Sequence, residues 1–201
     1  MCLDDIEQVD TIIKDSTAIL FGPGLDINDK NKEILNYLLI SNKKPLVIDA
    51  SGLVMIDKSL LVNKKCEVVL TPHPKEFARL IDKSVEEVLE NPVELAISFA
   101  KKYQVILLLK GTTTVVTNGD NTYLIKEGHA GMATSGSGDV LSGILTGLIS
   151  YNEVSPKLVA AASFLAGYSA SLALDTTNDI SYLARDTIKF IPLAIDNIRK
   201  S

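Results

Sequence analysis

Short apolar runs alternate with helical segments along the first half of this 201-residue chain, and that alternation constrains the fold more than any other feature. Each run is rich in Val, Ile and Leu and lacks regular polar positions, which predicts strands buried on both faces. The predicted strands are Ala18–Gly22, Pro45–Ala50, Glu67–Thr71 and Val105–Lys110. Helical spacing in Asp29–Ile40 and Pro92–Lys102 separates them, so we expect βαβ units and an α/β fold with a mostly parallel sheet.

The second half of the chain follows a different pattern. Two β-branched runs, Thr113–Thr117 and Thr122–Lys126, are joined through an Asn-Gly pair and predict a β-hairpin. The predicted helices are Gly138–Ser150, Pro156–Leu174 and Ala184–Ile198, and Pro192 is expected to bend or interrupt the last of them. No repeat or linker divides the sequence, so we expect a single domain over residues 1–201.

Charge and composition argue against several classes of partner. The 20 basic and 25 acidic residues are scattered, and the net charge of −5 provides no basic stripe for nucleic acid. No run approaches the roughly 18 apolar residues of a membrane span. Cys2 and Cys66 lack metal-ligand spacing, and the N-terminus lacks the pattern of a signal peptide. These features predict a soluble cytoplasmic protein.

The most informative segment is the loop Gly128–Ser137, which runs into an apolar helix. Glycines and small hydroxyl residues let several backbone amides converge on one anion, and the positive end of the helix dipole points the same way. Gly136 and Gly138 permit close approach of the backbone, with Ser137 between them. The segment predicts a phosphate site.

Asp139 lies in the first turn of that helix and has two interpretations. Acidic residues are common there because they complement the helix dipole. A carboxylate beside a bound anion is unfavourable, however, unless it takes part in chemistry, and accepting a proton from a hydroxyl group is a suitable role. We favour the catalytic base.

Other polar residues follow the predicted strands, at the sheet edge where α/β proteins bind ligands. Lys110, Gly111, Thr112, Thr113 and Thr114 suit the phosphates of a nucleotide, or form a solvated lysine and a strand-forming threonine run. Between two prolines, His73 is either catalytic or structural, and Glu76 either contacts a metal-bound phosphate or caps a helix. Gly22, Gly24 and Asp49 lie near the site or only form turns.

In their order along the chain, these segments resemble the ADP- or ATP-dependent NAD(P)H-hydrate dehydratases, a ribokinase-like family that repairs hydrated nicotinamide cofactors. The resemblance runs from about residue 15 to residue 192. The matching motifs are Gly22–Leu25, Ile48–Ala50, Thr71–Phe77, Lys110–Thr114 and Gly131–Asp139.

The resemblance implies a three-layer α/β/α fold, ADP or ATP with Mg²⁺, and a homotetramer. It further implies that Lys110–Thr114 and Gly138 bind the nucleotide, and that Gly24, His73 and Asp139 contact the hydrated dinucleotide. Phosphorylation of the ring hydroxyl would turn hydroxide into a phosphate leaving group, with Asp139 taking the proton and the amides of Gly136–Gly138 holding the phosphoryl group.

This sequence departs from the family pattern at several positions: Ser51, His129, Ala130, Ser135 and Ala166. Only about twenty residues precede Gly22, where family members carry a further N-terminal segment, so we expect an open sheet edge at the first strand. Three explanations fit this difference: a translation start that is set too late, a separate chain that supplies the missing segment, or a degraded gene product. A small-molecule kinase and a non-catalytic nucleotide-binding subunit are the alternative functions.

Overall fold

The computed structural model describes residues 6–127, 134–177 and 181–200. The strands are β1 (Ile19–Phe21), β2 (Leu46–Ile48), β3 (Val68–Leu70), β4 (Ile106–Leu109), β5 (Thr114–Thr117) and β6 (Thr122–Ile125). The helices are α1 (Ile6–Asp15), α2 (Asp29–Ser41), α3 (Ser51–Met55), α4 (Lys58–Leu61), α5 (Pro74–Ile81), α6 (Val85–Glu90), α7 (Pro92–Tyr103), α8 (Ser137–Ile149), α9 (Pro156–Thr176) and α10 (Ala184–Lys200).

The strands form one sheet in the order β1-β2-β3-β4-β5-β6. β1 to β4 are parallel, whereas β5 and β6 pair antiparallel as the predicted hairpin. In its turn, Gly119 takes the positive φ that the Asn-Gly pair suggested, at 97°. Within the described residues β1 pairs only with β2 and forms one edge of the sheet. The predicted mostly parallel sheet with a hairpin is confirmed.

Helices cover both faces of the sheet because successive strand residues point to opposite sides. Ile48 and Leu70 join a buried cluster with side chains of α2 to α7. Val47 and Val69 face the other way, into a cluster with Leu145 of α8. The three-layer α/β/α architecture that the resemblance implied is therefore confirmed.

The ends of several elements differ from the sequence prediction. The first three strands are each three residues long, shorter than the apolar runs that predicted them, because the flanking residues turn into the connections. α10 continues through Pro192 to Lys200, so an interruption there is wrong, while a bend at this residue stays a prediction. A proline removes one backbone hydrogen bond, and the buried Ala184 and Ala194 show that α10 is held by packing on both sides of Pro192.

α9 is long and apolar enough to meet a length-and-composition test for a membrane-crossing helix. Of the 18-residue window that meets this test, however, 61% is buried inside the protein, as expected of a core helix. Ala162 and Ala170 are among its fully buried residues and permit close packing of the neighbouring elements. Core packing thus accounts for the apolar sequence of α9.

Cys66 is buried just before β3, and burial raises the pKa of its thiol to about 11. The thiol is therefore protonated and poorly nucleophilic near neutral pH. Cys66 behaves as a small apolar residue of the core, and its environment gives no reason to assign it a chemical role.

Candidate functional site

A cleft of about 580 Å³ opens between the carboxyl ends of the strands and the N-terminus of α8. The sequence predicted the site at these carboxyl ends. The cleft brings together segments that are distant along the chain. Its walls include His73, Pro74, Lys110, Gly111, Thr112, Thr114, Glu127, Ser137, Gly138, Val140, Leu141, Ser163, Ala166, Gly167, Tyr182 and Thr187.

Lys110 lies where β4 ends, and its backbone amide donates to the carbonyl of Pro72 at 2.8 Å. Its ammonium group forms an ion pair with Asp49, which follows β2, at 2.9 Å. The side chain of Asp49 is 2% exposed and that of Lys110 is 22% exposed, so the pair is shielded from water on the Asp49 side. The structure thus joins two predicted site residues that are 61 positions apart.

The first turn of α8 has the geometry of an anion site. Gly136 precedes the helix with φ of 91°, a left-handed conformation that glycine adopts without strain. Ser137 and Gly138 then begin the helix and line the cleft. The Ser137 hydroxyl is buried and has no hydrogen-bond partner among the described residues. The positive end of the α8 dipole beside an unpaired hydroxyl suits a phosphate group.

The threonine segment contributes unevenly to the cleft. Gly111, Thr112 and Thr114 line it, whereas Thr113 is outside the cleft wall. The backbone of this segment changes from a turn to β5 at Thr114, so neighbouring side chains point in different directions. Hydroxyl groups of Thr112 and Thr114 are thus placed to donate to a bound anion.

His73 and Glu76 form a helix cap at the start of α5. The ring Nδ1 of His73 accepts hydrogen bonds from the amides of Lys75 and Glu76, at 3.1 and 3.2 Å. In return, the Glu76 carboxylate accepts from the amide of His73 at 2.8 Å. This capping box orients the ring of His73 at the cleft, while Glu76 lies outside the cleft wall. Of the two interpretations of Glu76, the structure supports the helix cap.

Gly22 and Gly24 do not line the cleft. Gly22 has φ of 124°, and a Cβ atom there would lie 1.8 Å from the backbone oxygen of Asp49. Its role is to let the ends of β1 and β2 approach. Gly24 has φ of 70° and no neighbouring atom within 4 Å of an added Cβ. The space beside Gly24 leaves room for the substrate contact that the resemblance assigns to it.

Asp139 lies on another side of α8 from the cleft. It is exposed and lines a groove of about 500 Å³ together with Gly143 and Gly147 of the same helix. Apolar side chains of α9 and α10 complete this groove: Leu165, Ile188, Ile191 and Ile195. Asp139, the predicted base, therefore shares the first turn of α8 with Ser137 and Gly138 but faces a different cavity.

Sequence reasoning missed the inner wall of the cleft, which α9, α10 and the end of β6 provide. Glu127, Ser163 and Gly167 lie there, and the hydrogen-bonded pair Tyr182 and Thr187 also lines the cleft. A Cβ atom on Gly167 would lie 2.6 Å from the backbone oxygen of Glu127, so this glycine permits close packing. A glycine within an otherwise apolar helix was the available signal. His129, Ala130 and the start of the Gly131–Asp139 motif lie outside the described residues.

Comparison with solved structures places the fold in a known class. An ADP/ATP-dependent NAD(P)H-hydrate dehydratase from Bacillus subtilis, co-crystallised with ATP/Mg²⁺, superposes with a TM-score of 0.82 and 28% identity, covering 92% of this chain and 68% of that one. A ribokinase-like superfamily protein from Enterococcus faecalis gives the same TM-score at 23% identity, covering 95% of this chain and 67% of that one. The fold is ribokinase-like.

Sequence comparison identifies the family. The NAD(P)H-hydrate dehydratase family model matches residues 3–193, and the chain belongs to that family. An ADP-dependent (S)-NAD(P)H-hydrate dehydratase from Nitrosopumilus maritimus is 37% identical over 79% of this chain and 54% of its own length. A bifunctional NAD(P)H-hydrate repair enzyme from Moorella thermoacetica is 33% identical over 91% of this chain. The chain spans 35% of that longer relative.

Proposed function

We propose that this protein dehydrates hydrated NADH or NADPH at the expense of ADP or ATP. The observation that carries the proposal is the cleft at the strand ends, where Lys110 lies beside Gly138 in the first turn of α8 and the unpaired Ser137 hydroxyl of the same turn lines the cleft. These groups suit the phosphates of a nucleotide. The relatives named as ADP-dependent dehydratases support the same substrate pair.

The two cavities on α8 suggest how the reactants are arranged. The nucleotide would occupy the cleft, with Gly111, Thr112 and Thr114 near its phosphates. The hydrated ring would approach the first turn of α8 from the groove that Asp139 lines. The phosphoryl group would then cross the helix N-terminus, where backbone amides can hold its charge throughout the transfer.

In the proposed chemistry, the oxygen of the ring hydroxyl attacks the terminal phosphorus of the nucleotide while Asp139 accepts the hydroxyl proton. The bond between that phosphorus and the bridging oxygen breaks, and the shortened nucleotide leaves. The lone pair of the ring nitrogen then expels phosphate from carbon, and loss of a ring proton restores the conjugated dihydropyridine. Phosphorylation is needed because hydroxide is a poor leaving group.

Mg²⁺ is part of the proposal, as it accompanies ATP in the Bacillus subtilis structure. The described residues contain no group of three or more potential metal ligands. Mg²⁺ in nucleotide sites commonly binds phosphate oxygens, water and one or two carboxylates, so it does not require such a group. Glu127 is a carboxylate that lines the cleft and would approach the ion. The ion would offset the charge of the phosphates.

The direct test is to incubate the purified protein with hydrated NADH, MgCl₂ and either ADP or ATP. Return of the absorbance of reduced nicotinamide, dependent on nucleotide, is the expected result. Hydrated NADPH in a parallel reaction shows which cofactor is preferred. A stable phosphoester formed from a vitamin or sugar alcohol, without turnover of the hydrate, would instead identify a small-molecule kinase. Nucleotide binding without any turnover would indicate a non-catalytic subunit.

We also propose a cytoplasmic homo-oligomer, with the tetramer as the expected state. Exposed apolar side chains on α10, including Leu193 and Ile198, support association. Light scattering during size-exclusion chromatography measures the mass directly. A mass of a single 21.7 kDa chain at all protein concentrations would contradict this proposal.

A further inference from the structure

Three segments meet at the buried carboxylate of Asp49. One of its oxygens accepts from the ammonium of Lys110 at 2.9 Å, and the other accepts from the hydroxyl of Ser142 at 2.5 Å. Ser142 belongs to α8 and is fully buried, and it lies 93 positions from Asp49 in sequence. The carboxylate therefore links the end of β4 to α8 through its two oxygens.

The Ser142 hydroxyl also lies 2.9 Å from the carbonyl oxygen of Gly138, one turn earlier in α8. A serine inside a helix commonly bonds to the carbonyl four residues before it, and here the single hydroxyl proton is shared between that carbonyl and the Asp49 carboxylate. Gly138 lies against the ion pair itself, since a Cβ atom there would be 3.7 Å from the Lys110 nitrogen and 3.9 Å from an Asp49 oxygen. The first turn of α8 is thus held against Lys110.

The backbone around Asp49 is held in a strained conformation. Ala50 has φ of 49° and ψ of −122°, which is unfavourable for a residue with a side chain. Gly22 packs so closely that its position excludes a Cβ atom beside the Asp49 carbonyl. Such strain persists only where the surrounding structure enforces it, and it clusters at functional sites.

Stability alone is a weak explanation for this arrangement. Removing two charged groups from water is unfavourable, and a buried ion pair often contributes no more to stability than apolar side chains of the same volume. Lys110 and Gly138 both line the cleft. The ion pair and the Ser142 hydroxyl fix these two residues relative to one another. The network instead sets the spacing between two phosphate-binding elements.

We propose that Asp49 and Ser142 are positioning residues, which hold Lys110 and the first turn of α8 in the phosphate-binding arrangement before the nucleotide arrives. This proposal rests on the proposed nucleotide site. Neither side chain needs to contact the nucleotide, because each acts through Lys110 or Gly138. Preorganised donors of this kind strengthen binding because little rearrangement is required on association.

The test measures ADP and ATP affinity by titration calorimetry and, separately, the unfolding free energy of each variant. We expect Ser142→Ala to weaken ADP binding about threefold to tenfold and Asp49→Ala roughly tenfold or more. The double variant should bind no more weakly than Asp49→Ala alone, because both changes break the same link. Asp49→Asn should stay within about threefold of the unmodified protein, since the amide can accept from Lys110 and donate to Ser142.

Two matched controls separate positioning from simple stabilisation. Ser150→Ala removes a hydroxyl that bonds to a carbonyl of α8 but does not touch Asp49. Asp57→Ala removes an exposed carboxylate that also accepts from a serine hydroxyl. Neither control should change ADP affinity. If Ser142→Ala and Asp49→Ala lose stability but bind ADP as tightly as the unmodified protein, the positioning role is overturned. Additive losses in the double variant would overturn it as well.

Hydrogen exchange of the ligand-free protein keeps the outcomes distinguishable. We expect faster exchange of the amides in the first turns of α8 in Ser142→Ala and Asp49→Ala, with β3 still protected, and no change in the two controls. If the unmodified protein binds neither ADP nor ATP, the proposed function fails, and the exchange data still decide whether Asp49 and Ser142 fix this turn. Unchanged exchange in both variants would overturn the proposal.

Discussion

The two sides of α8 differ in how completely their polar groups are partnered. Toward the strand ends, Ser142 and Gly138 are linked to the buried ion pair of Asp49 and Lys110. On the other side, Asp139 is exposed, and added Cβ atoms at Gly143 and Gly147 would meet nothing within 4 Å. The polar groups on one side are therefore preorganised by the protein, whereas those on the other side are exposed. In the proposed function, the nucleotide occupies the first side and the acceptor hydroxyl approaches from the second.

The largest expected effect separates the two sides by function. Asp139→Asn should lower turnover of the hydrated cofactor by about 10²–10⁴-fold, since a proton acceptor is lost, while ADP affinity stays within about twofold. Steady-state rates and calorimetry measure these two quantities. Lys110→Met provides the comparison, because it should weaken ADP binding. Equal loss of ADP affinity in the two variants would show that Asp139 belongs to the cleft.

The next prediction concerns the close packing on the strand-end side. Gly22→Ala should destabilise the protein by about 3–5 kcal/mol, because its Cβ atom would overlap the Asp49 carbonyl and its φ is positive. Urea unfolding measures the loss. Gly24→Ala is the matched control, with a positive φ but no overlap, and should lose only about 1–2 kcal/mol. Similar losses at the two glycines would contradict the close approach of β1 and β2.

Helical glycines extend the comparison to α8 and α9. Gly167→Ala should lose about 2 kcal/mol, because the added carbon meets the Glu127 backbone in the cleft wall. Gly143→Ala on the open side should instead gain about 1 kcal/mol from improved helix propensity. Thermal unfolding of the two variants side by side measures this. Destabilisation by Gly143→Ala would mean that the groove is filled in solution.

The smallest effect should come from releasing the strain beside Asp49. Ala50→Gly relieves an unfavourable backbone conformation worth about 1–3 kcal/mol and loses up to about 1 kcal/mol in unfolded-chain entropy. We expect a net gain of about 1 kcal/mol in unfolding free energy. Ala96→Gly, in the helix α7, is the control and should lose about 1 kcal/mol or more. A loss at Ala50 equal to that at Ala96 would show that its conformation is unstrained.

Much of the fold was predictable because its signals are local. Local backbone conformation was predicted by three signals: the apolar runs, Asn118-Gly119 and the proline at the start of α7. The sheet and the hairpin followed from the first two. Pro192 shows the limit of such signals, since packing maintained α10 where the local rule predicted a break. Glu76 shows another limit, because the sequence allowed either a helix cap or a contact to a metal-bound phosphate, and the hydrogen bond from the His73 amide supports the cap.

The sequence by itself determined which segments hold polar residues at strand ends and which glycines precede α8. It also determined the family, because ordered motifs are a property of the chain. Only the tertiary structure decided that Asp49 meets Lys110 and Ser142, and that Asp139 faces a separate groove. The physical reason is that a carboxylate's partner depends on how distant elements pack. A contact spanning 93 residues leaves no periodic trace in the sequence between them.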